Sequence, residues 1–297
     1  MNEAMAVRCK ALTALIFAEL FWGGMAPIGK LVMDAGISSV SLTFFRIVGA
    51  TCCFWTLGFL GPKETIKRRD FIKLFFAGLF YIVLNQGSYI IGLSYTSPID
   101  ASVICTSLPV VTIMLAFFIF HEKIGLKKLV GVVLGGVGAL TLILSNVNNS
   151  TSDSSVFGNA IVFCSQLSVA LYLVLFRNLI IRYHIFTLIK WMFLFSAIVF
   201  CPIATSNVVD DLHKDFSLAL WLNVGYVVLF GTVLAYLLIV ASQKVLKPAV
   251  VSIFNYLQPI VATILTLILG IGCLTPIKVL SMILVCVGVF IVTQVKE

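Results

Sequence analysis

Four ionisable side chains lie inside long apolar stretches of the sequence, where a charge is costly. Glu19 and Lys30 share the first stretch, and Arg46 and Lys190 each follow a threonine by three residues in two other stretches. A charged group at the centre of a membrane costs about 2.5 to 3.5 kcal/mol on insertion scales, so each is a functional candidate. The chemistry within their reach is proton or ion coupling and the anchoring of a charged solute.

Glu19 is the candidate for proton coupling. It lies about 12 Å along its span at the helical rise of 1.5 Å per residue. Burial favours the protonated carboxylic acid over the carboxylate, which suits a group that binds and releases a proton. The alternative is a structural carboxylate neutralised by an arginine or by backbone donors.

Arg46, Lys190 and Lys30 are candidate gates, or anchors for an anionic group such as a carboxylate. The alternatives are side chains that extend to the lipid headgroups and ion pairs that join helices.

Two prolines, Pro109 and Pro259, interrupt apolar stretches near their middle and free the carbonyls of Cys105 and Asn255. A broken span is tolerated where its backbone is buried in protein or lines a water-filled cavity. Polar and aromatic residues that could face such a cavity are Trp22, Asn85, Gln86, Thr106, Ser107, Gln166, Tyr172, Tyr236, Asn255, Tyr256 and Gln258. Each polar residue could instead form a hydrogen bond between helices, and Trp22 could be an interface or packing residue.

The elements that must position these residues are membrane spans. Hydrophobic residues make up 61% of the chain, charged residues 11%, and the mean hydropathy is +1.13, which a water-facing surface does not allow. With roughly 20 apolar residues per span, the sequence predicts ten transmembrane helices. They are Ala11–Met33, Val40–Leu60, Phe71–Leu93, Pro98–Phe120, Lys127–Ser145, Val156–Arg177, His184–Ala204, Phe216–Ala241, Pro248–Leu269 and Thr275–Thr293.

The basic residues indicate the orientation. With the N-terminus in the cytoplasm, most of the 20 Lys and Arg residues fall in cytoplasmic loops, and the outside loops hold only Lys214. This pattern predicts that both termini are cytoplasmic. It also explains the net charge of +8 without a nucleic-acid partner.

The two halves of the chain resemble each other at an offset of 150 residues, with Pro98 and Pro109 matching Pro248 and Pro259. The predicted units are a tail (1–10), a repeat of five helices (11–145), a linker (146–155), a second such repeat (156–293) and a C-terminal tail (294–297). An odd number of spans per half requires the second half to be inverted. Inverted repeats are typical of alternating-access carriers, although duplication could simply build a larger bundle.

Other classes of protein lack support in the sequence. It contains no Walker A loop, no Gly-x-Ser-x-Gly elbow and no His-Glu-x-x-His motif. We therefore predict no catalytic residue, no cofactor and no metal site. A receptor or scaffold would not need the repeat or the buried charges.

The opening residues Trp22-Gly23, Lys30 and Arg46, and the later series Leu93, Tyr95, Ala101, Pro109, Glu122, Gly131 and Gly138, resemble an EamA-type repeat of the drug/metabolite transporter (DMT) superfamily. The resemblance covers residues 11 to 293 and implies a secondary carrier with ten helices. Such carriers mostly export amino acids, other metabolites or drugs.

The sequence therefore predicts an all-α polytopic plasma-membrane carrier whose partners are a small-molecule substrate, the lipid bilayer and a coupled proton. Export of amino acids or related metabolites is the favoured function. Efflux of drugs, metabolite import and a receptor that does not transport are the alternatives. The oligomeric state is left open.

Overall fold

The computed structural model describes residues 2–59, 64–120, 125–144, 155–246, 254–255 and 257–294. Within these ranges the chain is helical and contains no strand. The α-helices are α1 (Asn2–Asp34), α2 (Ser39–Gly58), α3 (Arg68–Gly78), α4 (Asn85–Ser94), α5 (Pro98–Cys105), α6 (Leu108–Phe120), α7 (Leu126–Leu144), α8 (Val156–Leu175), α9 (Arg177–Arg182), α10 (Ile185–Leu212), α11 (Leu218–Val228), α12 (Ala235–Val245), α13 (Leu257–Ile268) and α14 (Pro276–Gln294). Two π-helical segments, Leu79–Leu84 and Leu229–Leu234, join α3 to α4 and α11 to α12.

Most of these helices are long and apolar because a membrane requires every backbone polar group to be satisfied within the segment. Seven segments of the described chain can cross a membrane by length and composition: Met5–Asp34, Ser39–Gly58, Arg68–Ser94, Pro98–Ile119, Val156–Leu175, Ile185–Leu212 and Leu218–Val245. Three shorter apolar helices are Leu129–Gly138, Leu257–Ile268 and Pro276–Gly288. Apolar side chains such as Phe118, Ile203 and Leu222 are exposed on the outer surface, where lipid covers them. The protein is a multi-pass membrane protein.

The fourth span is interrupted between α5 and α6. A turn at Thr106 and Ser107 separates the two helices, and both hydroxyls donate to carbonyls three residues earlier, at 2.6 and 2.7 Å. Pro109 lies in the first turn of α6, where its missing N–H has no partner to lose. The turn places the end of α5 inside the bundle, so that Cys105 is buried there.

Helices α7 and α14 pack closely through glycines. A Cβ atom on Gly138 would lie 2.9 Å from the Cβ of Leu284 and from the backbone N of Val285. A Cβ atom on Gly288 would lie 2.7 Å from the carbonyl oxygen of Gly131. Only glycine allows the two backbones to approach this closely.

The remaining long helices surround a space in the middle of the bundle. Helix α1 packs against α12 and α13, α2 against α10, and α4 against α8. Aromatic contacts support this packing; the rings of Phe54 in α2 and Phe193 in α10 lie 4.9 Å apart.

Candidate functional site

A cavity of about 780 Å³ lies between the helices. The described residues that line it are Trp22, Met25, Arg46, Tyr81, Asn85, Gln86, Tyr89, Cys105, Leu108, Thr112, Gln166, Val169, Leu173, Val174, Arg177, Ile180, Ile181, Tyr236, Ile239, Gln243, Lys244, Val245, Leu246, Asn255 and Gln258. A volume of several hundred Å³, with aromatic walls and a few polar groups, is typical of a site for a small molecule.

The cavity brings together many of the residues that the sequence singles out. Those that line it are Trp22, Arg46, Asn85, Gln86, Gln166, Tyr236, Asn255 and Gln258. They come from both halves of the sequence, and so the cavity lies between the halves.

Arg46, in α2, is the most buried cation of the cavity wall, with 2% of its surface exposed. Its Nε donates to the hydroxyl of Thr232 at 2.9 Å, and that hydroxyl donates to the carbonyl of Val227 at 3.0 Å. Its Nη1 has no hydrogen-bond partner in the described part of the chain. The guanidinium is therefore held on one side only.

The two π-helical segments position polar groups at the cavity. In the second segment, the Thr232 hydroxyl donates a hydrogen bond to the carbonyl of Val227, five residues earlier. The same hydroxyl accepts a hydrogen bond from Arg46. Beside the first, the Ser168 hydroxyl donates to the carbonyl of Phe80 at 2.7 Å, and the Tyr236 hydroxyl to the carbonyl of Tyr81 at 3.4 Å. Single π turns inside α-helices are frequent at functional sites.

A tyrosine cluster forms one wall. Gln86 donates its Nε2 hydrogen to the hydroxyl of Tyr236 at 2.9 Å. The rings of Tyr81 and Tyr172 stack with centroids 4.2 Å apart, and Tyr172 lies behind Tyr81, outside the lining. Trp22 meets Tyr236 edge to face at 6.0 Å. The rings offer a cargo both a flat apolar surface and polar edges.

Glu19 lies behind the lining residue Gln258. It is fully buried, and its Oε2 accepts a hydrogen bond from Gln258 Nε2 at 2.6 Å. Its other oxygen, Oε1, has no partner among the residues described. Gly23, one turn further along α1, allows α1 to approach α13, because a Cβ atom there would lie 2.7 Å from the Cβ of Val261. Glu19 is thus one side chain away from the cavity.

Two further cations, Arg177 and Lys244, mark one end of the cavity. They lie where α9 begins and where α12 ends, and both are exposed. Lys244 Nζ donates to the carbonyl of Tyr183 at 2.9 Å. This end is open to solvent and basic.

The opposite end of the bundle is closed by polar contacts between buried groups. Lys278 Nζ in α14 lies 3.2 Å from Asp100 Oδ1 in α5, and it also donates to Ser97 Oγ at 3.2 Å. Lys30 Nζ donates to the carbonyl of Ser94 at 3.0 Å at the end of α4. These contacts join α1, α4, α5 and α14 beyond the cavity.

Several candidates from the sequence lie outside the lining. Lys190 faces Trp55, with its Nζ 5.6 Å from the ring centroid. Lys30, Thr106 and Ser107 donate to backbone carbonyls. The others that do not line the cavity are Glu19, Tyr172, Pro109 and Pro259, of which the prolines lie in the first turns of α6 and α13. Tyr256 lies outside the described residues.

Comparison with known proteins identifies the family to which the chain belongs. The sequence profile of the EamA-like transporter family matches residues 10–144 and 156–294, which is nearly the whole chain. The chain belongs to the EamA-like transporter family.

Three relatives of this EamA protein match nearly its whole length, and two of them are named as transporters. The chain is 24% identical over 293 residues to the uncharacterized transporter YetK of Bacillus subtilis (strain 168), covering 97% of this chain and 87% of that protein. It is 24% identical to an uncharacterized transporter of Archaeoglobus fulgidus, covering 96% and 99%. It is 23% identical to the WAT1-related protein At2g37460 of Arabidopsis thaliana, covering 96% and 82%.

A solved crystal structure shares the fold of this EamA protein. It matches with a TM-score of 0.63 and 14% sequence identity, covering 95% of each chain. At this identity the likeness concerns the fold alone. The family match makes the protein a membrane transporter.

Sequence reasoning missed several residues of the EamA cavity. Tyr81, Tyr89 and Cys105 line it, and Thr232 holds Arg46. All four lie in apolar stretches, where residue type alone does not distinguish a tyrosine, threonine or cysteine of the cavity from one that packs between helices. Within the described ranges, no three His, Cys, Asp or Glu side chains form a group that could hold a metal ion.

Proposed function

We propose that this EamA transporter is a secondary carrier that works by alternating access and exports amino acids or related small metabolites across the plasma membrane. The observation that carries the proposal is the cavity, whose wall combines Arg46 and Gln86 from the first half with Gln166 and Tyr236 from the second. Carriers built from repeats bind their cargo between the halves.

The proposed architecture has ten spans in two inverted halves, residues 11–145 and 156–293, with both termini in the cytoplasm. Several structural features recur at the offset of 150 residues seen in the sequence. The π-helical segments Leu79–Leu84 and Leu229–Leu234 are one such pair, and α7 and α14 are another. This recurrence supports a duplicated unit.

The contact between α7 and α14 supports a two-fold relation between the halves. Gly138 packs against Val285, and Gly288 packs against Gly135. Each residue of the first contact lies 150 positions from a residue of the second. Such a reciprocal contact is what two equivalent units related by a two-fold axis produce.

Alternating access requires a cavity that is open at one end and closed at the other. The open end carries Arg177 and Lys244, and the closed end carries the Asp100–Lys278 pair. Because cytoplasmic loops are rich in Lys and Arg, we place the open end in the cytoplasm. A cavity that loads from the cytoplasm fits export.

Glu19 is the proposed coupling group. Its fully buried carboxyl, with one oxygen bound to Gln258, lies next to the cavity without a cationic partner within 4 Å in the described chain. A carboxyl in such a place can alternate between its neutral and charged forms as cargo and proton exchange.

Solute counterflow in proteoliposomes tests the proposed function. Vesicles loaded with an unlabelled solute should transiently accumulate the same labelled solute from outside, because a carrier exchanges the two without any ion gradient. The panel should contain amino acids, organic acids and lipophilic cations, and empty liposomes are the control. Counterflow of cations alone would favour drug efflux over metabolite export, and no counterflow with correctly folded protein would contradict the carrier proposal.

Replacing Glu19 tests the coupling. Glu19→Gln keeps the shape and the contact with Gln258 but cannot bind a proton. We expect counterflow to persist while stimulation by an imposed pH gradient is lost. Asp34→Asn is the matched control, since Asp34 is exposed at the end of the same helix. If the Gln variant retains full stimulation by the pH gradient, Glu19 is structural.

A further inference from the structure

The cavity contains a buried cation that forms no ion pair with any described residue of the protein. No carboxylate of the described chain lies within 4 Å of the Arg46 guanidinium, which forms no ion pair there. Arginine stays charged in proteins. A charge in a membrane interior normally faces a partner or a water-filled space, and Arg46 faces the cavity.

The hydrogen bonds of Arg46 fix the direction in which its free donors point. Nε is engaged by the hydroxyl of Thr232, and that hydroxyl is itself fixed by the carbonyl of Val227. Nη1 is buried and has no hydrogen-bond acceptor in the described chain, so its two N–H groups are unsatisfied. Arg46 is therefore a positioned donor with a full positive charge.

The charges of the lining all have one sign. Arg46, Arg177 and Lys244 line the cavity, and none of its described lining residues is Asp or Glu. Glu19 is an acid behind the wall, and its hydrogen-bond partner Gln258 lines the cavity. Two cations at the mouth and one deep inside attract an anion along the whole path.

We propose that Arg46 binds an oxyanion of the cargo, a carboxylate or a phosphate, so that the transported solutes are anions or carry an anionic group. The inference rests on the proposed carrier function and names its substrate class. Guanidinium groups match the oxygens of carboxylates and phosphates well. The aromatic side chains of Trp22 and Tyr236 are then free to contact the rest of the cargo.

Counterflow with matched solute pairs tests this class. The carboxylate pairs are N-acetyl-L-leucine with N-acetyl-L-leucinamide, and succinate with succinamide; the phosphate pair is sn-glycerol 3-phosphate with glycerol. Wild-type protein should exchange the anionic member at least about tenfold faster than the neutral one in one pair, since hydrogen bonds to charged groups are the strong ones. The pair in which the anionic member is exchanged faster shows whether the cargo carries a carboxylate or a phosphate.

Three variants connect the selectivity to Arg46. Arg46→Gln should reduce exchange of the anionic member by about tenfold or more and leave the neutral member unchanged. Arg46→Lys, which keeps the charge, should recover part of the loss. Lys190→Gln is the matched control, because Lys190 is also a cation within a span but faces Trp55 outside the cavity. It should leave both members unchanged.

Solute binding to the wild-type protein in detergent tests the substrate class independently, when exchange is slow or a variant folds poorly. Each anionic solute at millimolar concentration should raise the midpoint of thermal unfolding of the wild type, and the neutral partner should not. The substrate class is wrong if neutral members are exchanged or bound as well as anions, although the carrier function then stands. The carrier function itself fails if the wild type exchanges no solute in the wider panel.

Discussion

At the scale of single residues, the structure separates cations that look alike in the sequence. Arg46 and Lys190 both lie within a span three residues after a threonine, yet Arg46 lines the cavity and Lys190 packs on Trp55. The difference is the direction in which each side chain points from its helix, and this depends on how the helix packs against its neighbours. The sequence could identify the buried charges but not which of them face a common space.

Asp70 provides a residue-scale prediction about stability. This buried carboxylate accepts from the Tyr183 hydroxyl at 2.7 Å and from Arg182 Nη1 at 2.9 Å, joining α3 to the last residue of α9 and to the residue after it. Asp70→Asn should lower the free energy of unfolding by about 2 kcal/mol, because hydrogen bonds to a charged group are lost. Thermal unfolding in detergent measures the effect.

The control for Asp70 is Lys73→Gln. Lys73 Nζ lies 3.8 Å from Asp70, but its side chain is 60% exposed, so the change should cost less than about 1 kcal/mol. Equal effects of the two variants would contradict a structural role for the buried contacts.

The Tyr183 hydroxyl adds a pH dependence to the same contact. Burial and the hydrogen bond to Asp70 raise the pKa of Tyr183 above its usual range. Because the pKa of Tyr183 is higher in the folded than in the unfolded state, its hydrogen bond to Asp70 contributes fully to stability below about pH 10. This contribution is lost as the pH rises further. The contact is therefore fully formed at neutral pH.

At the scale of elements, the apolar spans and the interruption near Pro109 follow from composition and from proline chemistry. The π-helical segments do not, because Leu79–Leu84 and Leu229–Leu234 contain no proline and nothing else in sequence that marks a π turn. Side chains from other helices, Ser168 and Tyr236, donate to carbonyls of the first segment. Such contacts are tertiary and have no local signature.

The contact between α7 and α14 gives a prediction at this scale. Gly138→Val should destabilise the protein by about 1–3 kcal/mol, because its side chain would overlap Leu284 and Val285. Gly136→Val is the matched control in the same helix, since nothing lies within 4 Å of a Cβ atom there. Both changes alter helix propensity equally, so the difference between their unfolding midpoints isolates the contact.

At the scale of the whole molecule, composition, the order of spans and the internal repeat were enough to predict a multi-pass transporter. The EamA family was predicted from the resemblance of its motifs, and the family match confirms it. The closure of one end was not predictable. Asp100 and Lys278 lie 178 residues apart and near the starts of their helices, where charged side chains usually face water. Only the arrangement of α5 against α14 makes them a buried pair.

Alternating access means that one cavity opens in turn to the two sides of the membrane. Labelling of Met25→Cys measures this opening, because Met25 lies in the cavity wall; the variant is made in a background without the eight native cysteines. A membrane-impermeant maleimide is applied to each face of oriented vesicles. The closed end is weakened with Asp100→Asn, which removes one member of the Asp100–Lys278 pair. The control is Asp34→Asn, because Asp34 is an exposed acid near the same end.

We predict fast labelling from the cytoplasmic face and slow labelling from the outside, with Asp100→Asn raising the outside rate at least about tenfold, because removing one member of a buried ion pair costs several kcal/mol. Asp34→Asn should leave both rates unchanged. Two results together would contradict alternating access. The labelling rates would be equal from both faces in the protein with an intact Asp100–Lys278 pair, and Asp100→Asn would change neither rate.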